Sequence, residues 1–217
     1  LAYEGLKRPD DAVVSLKQAA RLAPRDLDVQ LALASVLLRT GKEKEARPHV
    51  EAAAELAPTE PEVLRMVAAL HTREGKHAEA VAAYEAILAD APEDAEARLA
   101  LARTLVRAER AEEALPHLER LAKERPKEAV IFSEWGGVLA KLGRFKGADG
   151  ALARLDQALA LQPNLPSAQV RKIAALAATG QCKPAQAAHK GLVDGGPKAE
   201  LKAQADEALA PCVKKSK

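Results

Sequence analysis

Four prolines set the terms for this chain: Pro24, Pro58, Pro92 and Pro126, each 34 residues after the one before. A fixed period in the range of roughly 20–50 residues marks a stacked repeat, in which each unit buries its apolar face only against its neighbours. Between the prolines run helical patterns rather than alternating ones. In DDAVVSLKQAARLA, apolar Ala12, Leu16, Ala19 and Ala20 fall at helical spacing. Composition agrees, with 48% hydrophobic residues but only 2% aromatic ones. Ala and Leu dominate, and they favour closely packed helices over sheets.

The units are written as a partial one at 1–26, full ones at 27–60, 61–94, 95–128, 129–165 and 166–196, a cap helix at 197–210 and a tail at 211–217. In the partial unit, Tyr3 sits where a first helix ends, and Asp10 or Asp11 is expected to cap the second. Each full unit reads as two helices around a turn. Gly41, Gly75, Gly143 and Gly180 hold the turn position, but Glu109 holds it in 95–128, which predicts a less tight or slightly shifted turn there. Pro163 follows Pro126 by 37 residues, so about three extra residues lie in RFKGADG. They either lengthen the turn or bulge the start of the next helix. Pro48 and Pro116 recur at one place, in ARPHVE and ALPHLE, near the first turns of a second helix. A proline there costs little while the missing N–H belongs to the first turn of the helix, and more beyond it.

These units resemble tetratricopeptide repeats. The family places large residues at unit positions 4, 7 and 11, small ones at 8 and 20, a bulky one at 24, Ala at 27 and Pro at 32. Unit 27–60 supplies Leu33, Ala34, Leu37, Ala46, Val50, Ala53 and Pro58 from position 7 onward. Unit 61–94 supplies Leu64, Val67, Ala68, Ala80, Tyr84, Ile87 and Pro92. Unit 95–128 supplies Leu101, Ala102, Leu105, Ala114, Leu118, Leu121 and Pro126, and the next opens with Phe132, Trp135, Gly136 and Leu139. Unit 166–196 is weaker, because Lys172 stands where a large apolar residue is expected. The resemblance implies an all-α fold, a right-handed α-solenoid of helix–turn–helix repeats closed by a C-terminal capping helix.

It also implies a protein or peptide partner, held on a concave face lined by the first helices. Mapped onto this chain, that face comprises Leu31, Ser35, Leu38 and Arg39; Arg65, Met66, Ala69, Thr72 and Arg73; Leu99, Arg103, Val106 and Arg107; Ser133, Gly137, Ala140 and Lys141; then Val170 and Arg171. Cations run along it, with Glu62, Glu96 and Glu134 at its edges, which suits an acidic segment. The plainer explanation is that these arginines solvate the face and cover apolar surface with their stems. The chaperone-type carboxylate clamp is absent, since Arg65 and Ala69 are followed by Ala100, then Val130 and Glu134.

Catalysis has no visible seat. His49, His71, His77, His117 and His189 form no H-x-x-x-H pair. Ser15, Ser35, Ser133, Ser167 and Ser216 lack a nucleophile-elbow context, and the glycines punctuate turns rather than cradle phosphate. Carboxylate pairs such as Glu112 and Glu113 lie at helix starts. No cofactor is expected. The charge balance, 33 Lys+Arg against 31 Asp+Glu, is no nucleic-acid signature, and no apolar run is long enough for a membrane helix.

Cys182 begins a second helix and Cys212 is placed after the cap helix. In an up–down stack both fall at one end of the molecule, so the thiols can meet. A bridge across that interval stabilises by roughly 3–4 kcal/mol on the chain-entropy estimate and implies an oxidising compartment such as the periplasm or exterior. Two unrelated thiols in the cytoplasm are the alternative. Two cysteines with no nearby histidine pattern do not make a zinc site. The expected role is a non-catalytic scaffold, with assembly of a bacterial envelope complex as one setting by family analogy. A self-associating homo-oligomeric module, or the docking arm of a larger enzyme, is the alternative.

Overall fold

A computed structural model describes residues 9–214 of the chain. Among the described residues there are twelve α-helices and no strand. The chain divides into two compact units, Leu1–Ala108 and Glu109–Lys217. Tyr3 lies outside the described residues.

The first unit holds α1 (Pro9–Leu22), α2 (Leu27–Arg39), α3 (Glu43–Leu56), α4 (Pro61–Arg73), α5 (His77–Asp90) and α6 (Ala95–Arg107). Each helix packs against the next in sequence. Asp10 and Asp11 lie inside the first turn of α1, where their charge meets the helix dipole. Asp26 caps α2 through the Val29 N–H (3.1 Å), and Asp94 caps α6 through the Ala97 N–H (2.9 Å). The expected small residues at the helix crossing, Ala34 with Ala46 and Ala68 with Ala80, are wholly buried. Leu33, Leu37 and Val50 fill the space beside the first pair.

The second unit holds α7 (Ala111–Glu124), α8 (Ala129–Lys141), α9 (Ala151–Leu161), α10 (Pro166–Ala178), α11 (Cys182–Asp194) and α12 (Ala199–Lys214). Here the crossing residue Gly136 faces α9 so closely that an added Cβ would stand 2.6 Å from Leu155 Cγ. Trp135 beside it is covered by the Arg154 guanidinium, 4.0 Å from the ring centroid. Lys172, the polar intruder in the repeat pattern, is satisfied by Asp156 of α9 at 2.6 Å.

Two sequence expectations change, and one open alternative is resolved. The turn at Glu109 is not looser than the others. Glu109 takes the left-handed conformation (φ 60°) that Gly41, Gly75, Gly143 and Gly180 take at φ 71–74°. A side chain there is accommodated at a cost rather than avoided.

The extra residues near RFKGADG lengthen the turn and do not bulge the helix. The α8–α9 connection runs from Leu142 to Gly150, nine residues, where the α2–α3 connection has three. The helix gives up its first turn to the loop, so α9 has 11 residues where α3, α5 and α7 have 14. The loop closes on itself: the Ala151 N–H donates to Arg144 O (2.8 Å) and the Leu152 N–H to Phe145 O (3.2 Å). Gly150 is required there, because a Cβ would meet Lys146 O at 2.4 Å.

The cap helix does not end at 210, and residues 211–214 belong to it rather than to a tail. α12 runs through Pro211 to Lys214, and Cys212 lies inside it. The cause is burial: Cys212 is fully covered among Leu176, Ala177 and Ala185, which holds the last turn in place.

Candidate functional site

In the first unit the first helices of the repeats are α2, α4 and α6, and α2 touches α4 directly. Most of the residues expected to line a groove stand on these helices, but not all are available. Leu31 is only 6% exposed and packs with Ala53 and Val63, while Leu38, 4% exposed, belongs to the core around Leu37 and Val50. Their place on a groove floor is therefore corrected to the interior. Leu31 joins successive repeats and Leu38 packs against the α1 residues Val13 and Ala20. Ser35 and Met66 are half-buried, as are Leu99 and Val106, while Arg39, Arg65, Arg73, Arg103 and Arg107 are exposed.

The cations are less unopposed than the sequence suggests. Arg65 Nη2 is bonded to Asp94 Oδ2, the carboxylate that also caps α6. Burial alone would raise the Asp94 pKa, but the Ala97 N–H and the Arg65 charge together hold it below the usual carboxylate range. Arg73 Nη1 donates to Glu43 Oε1 at the start of α3 (3.3 Å). Arg39 and Arg107, by contrast, have no acidic partner within salt-bridge distance among the described residues. Arg107 and Arg65 both act on Tyr84 of α5, which sequence position assigns only to packing. Burial raises the Tyr84 pKa, and the two arginine charges oppose that shift without overcoming it. Met66, Leu99 and Val106 are thus half-buried on α4 and α6, the helices that also carry the exposed Arg65, Arg73, Arg103 and Arg107.

In the second unit the first helices α8 and α10 are in contact, and their facing side is closed by its own network. Arg171 lies across Gly137, with Nε 3.0 Å from where a Cβ would stand. Its Nη1 donates to Ser133 Oγ (2.9 Å) and its Nη2 to Glu134 Oε2 (2.8 Å). Ser133 is fully buried and also shares a hydrogen bond with Ser167 (3.1 Å). Lys141 reaches Glu109 at 2.9 Å, and Val170 packs in the core around Ile173. Here the glycine at 137 serves the Arg171 stack rather than an open groove.

At the far end, Cys182 and Cys212 are joined by a disulfide with Cα atoms 5.2 Å apart. No helix among the described residues is long and apolar enough to cross a membrane. No group of three or more His, Cys, Asp or Glu side chains among the described residues is arranged to hold a metal ion.

The tetratricopeptide repeat family model matches residues 5–70 and 71–142, and the chain belongs to that family. No curated protein matches it in sequence. Among solved structures it is similar to TTC0263, a thermophilic TPR protein of Thermus thermophilus, at 24% identity and a TM-score of 0.68, over 85% of this chain and 100% of that one. YrrB, described as a TPR protein with an unusual peptide-binding site, is similar at 19% identity and a TM-score of 0.62, over 90% and 100%. MamA from Desulfovibrio magneticus is similar at 17% identity and a TM-score of 0.67, over 77% and 93%. At such identities these likenesses establish the fold alone. That fold is a protein–protein interaction scaffold, and proteins built on it are generally non-catalytic.

Proposed function

We propose that this protein holds an acidic, extended protein segment on the α2, α4 and α6 side of its first unit. The observation behind this is that Met66, Leu99 and Val106 are only half-buried on α4 and α6, while Arg39 and Arg107, at the ends of α2 and α6, are exposed. These apolar residues form the strip in this reading. An apolar side chain of the partner covers the strip, and its carboxylates meet the guanidinium groups. Each such contact contributes roughly 1.5–3 kcal/mol if desolvated and under ~1 if exposed. The peptide-binding site of YrrB supports this reading by analogy of fold. Arg65 and Arg73 are secondary, because each already serves an internal carboxylate.

The disulfide supports a setting in an oxidising compartment, such as the periplasm or cell exterior, where scaffolds assemble envelope complexes. A pull-down from native extract, comparing wild type with an Arg39→Glu/Arg107→Glu double variant, tests the surface. Captured proteins should be lost from the variant, and more so at low salt. An identical set of captured proteins at equal yield would rule the surface out.

A further inference from the structure

Helix α12 lies against both α10 and α11, but it does so through few fully buried side chains. Of its described side chains, only Ala205 and Cys212 are buried, whereas α10 beneath it buries Ala168, Ile173, Ala175, Leu176 and Ala177. Leu201, Ala208 and Leu209 rest half-buried on the α10–α11 surface around Ile173 and Leu192. A polar tie joins α12 to α11, His189 Nε2 to Asp206 Oδ1 at 2.6 Å, with Asp206 half exposed. The connection from α11 passes through Gly195, Gly196 and Pro197, with Gly196 at φ 66°, so the helix is joined by a short pivot and not by a packed element. The other attachment is covalent, the bond from Cys212 to Cys182 at the first turn of α11.

We propose that the Cys182–Cys212 disulfide is a redox latch that keeps α12 closed over α10 and α11, and that its reduction by a dithiol releases α12 locally while the rest of the second unit stays folded. The two sulfurs are not equally open to attack: Cys182 is partly exposed and Cys212 is fully buried. The incoming thiolate therefore attacks Cys182 Sγ and forms a mixed disulfide there. The S–S bond breaks and Cys212 departs as a thiolate, which takes up a proton. The second thiol of the reductant, once ionised, then displaces Cys182 and closes the reductant's own disulfide. Two electrons pass from the dithiol to the protein, which ends with two thiols. Freed of the bond, α12 keeps its contacts through Leu201, Ala205, Ala208 and Leu209 and the His189–Asp206 pair, and where it lifts away the apolar surface at Ile173 and Leu192 becomes accessible.

Hydrogen exchange on the full chain tests the latch in three states: as isolated under oxidising conditions, after dithiothreitol, and after reoxidation. Amides of residues 202–214 should exchange about 100- to 1000-fold faster when reduced, the factor expected from losing a cross-link over this interval. Amides of α7, α8 and α9 should be unchanged, and reoxidation should restore protection. A Cys182→Ser/Cys212→Ser variant should match the reduced protein and ignore dithiothreitol. Equal protection of α12 with and without the bond would overturn the latch, since packing alone would then hold the helix. Loss of protection throughout α7–α12 would overturn it too, by making the bond a staple for the whole unit.

Discussion

Gln30 reaches back across the turn between α1 and α2 to donate its side-chain amide to the Pro24 carbonyl, at 2.8 Å. The same reach recurs six residues after Pro92 and Pro163. Arg98 Nη2 bonds Pro92 O, and Gln169 Nε2 bonds Pro163 O at 3.0 Å. A carbonyl just past a helix end is thereby satisfied by the first turn of the next helix. Gln30 is itself buried, and its Oε1 lies 2.7 Å from His49 Nδ1. Replacing Gln30 with Leu supplies the large apolar residue that the family favours, yet it leaves both Pro24 O and His49 without partners. The expected cost is about 1–3 kcal/mol, read by urea denaturation of the full chain.

His49 makes this joint sensitive to acid. Burial lowers its pKa in the folded protein, and the nearby Lys17 charge adds to the shift. The unfolded chain therefore takes up its proton first as pH falls. Stability contributed by neutral His49 is complete above about pH 6.5 and declines as pH drops below that value toward the lowered folded pKa. A His49→Gln variant should show a flatter dependence of denaturation midpoint on pH between about 5 and 7. A slope equal to that of wild type would show that other groups dominate the window.

Glu109 occupies a conformation that its equivalents reach as glycine. Glu109→Gly and Glu109→Ala both remove its ion pair with Lys141. Only the glycine variant relieves the backbone, so it should exceed the alanine variant by about 1 kcal/mol in unfolding free energy. Thermal melts of the pair provide the comparison, and equal stabilities would contradict the strain assigned to this turn.

At Gly136 the sign reverses. Alanine improves helix propensity by about 1 kcal/mol, but its Cβ would press into Leu155 at the α8–α9 crossing. Overpacking of this kind costs typically about 1–3 kcal/mol, so Gly136→Ala should lower stability in spite of the propensity gain. A variant more stable than wild type would mean that Leu155 moves aside freely.

Asp94 carries two duties, as α6 cap and as Arg65 partner. Asp94→Ala should cost about 1–2 kcal/mol, while Arg65→Ala should cost under ~1 kcal/mol because that side chain is largely solvated. Chemical denaturation of both variants separates the duties, since equal costs would assign the effect to the ion pair.

The sequence was most legible where one residue type has one physical use. The proline interval, the small residues at the crossings and the glycine turns name the fold, because few other residues can stand in those places. The cysteine pairing was legible for a topological reason: alternating helices return both positions to one end. What escaped was set by partners distant in sequence. Nothing local in Leu31 or Leu38 distinguishes a groove floor from an interior facing the neighbouring repeat. Arg65 and Asp94 are 29 residues apart, and only the stacking of repeats brings them together. Glu109 misled because the turn geometry is imposed by the helices on either side, whatever residue sits between them. Gln30, Arg98 and Gln169 could have been found, since each carries a donor side chain six residues after Pro24, Pro92 or Pro163.

The long connection between α8 and α9 is tied off at its base by two backbone hydrogen bonds, and its crest, Lys146 to Asp149, is exposed. Its ends are therefore held together independently of what is carried between them. This makes the bond between Gly147 and Ala148 a natural splice point: an affinity tag, a fluorophore-bearing loop or a second binding module inserted there would be displayed from the scaffold with little disturbance to the helices that flank it.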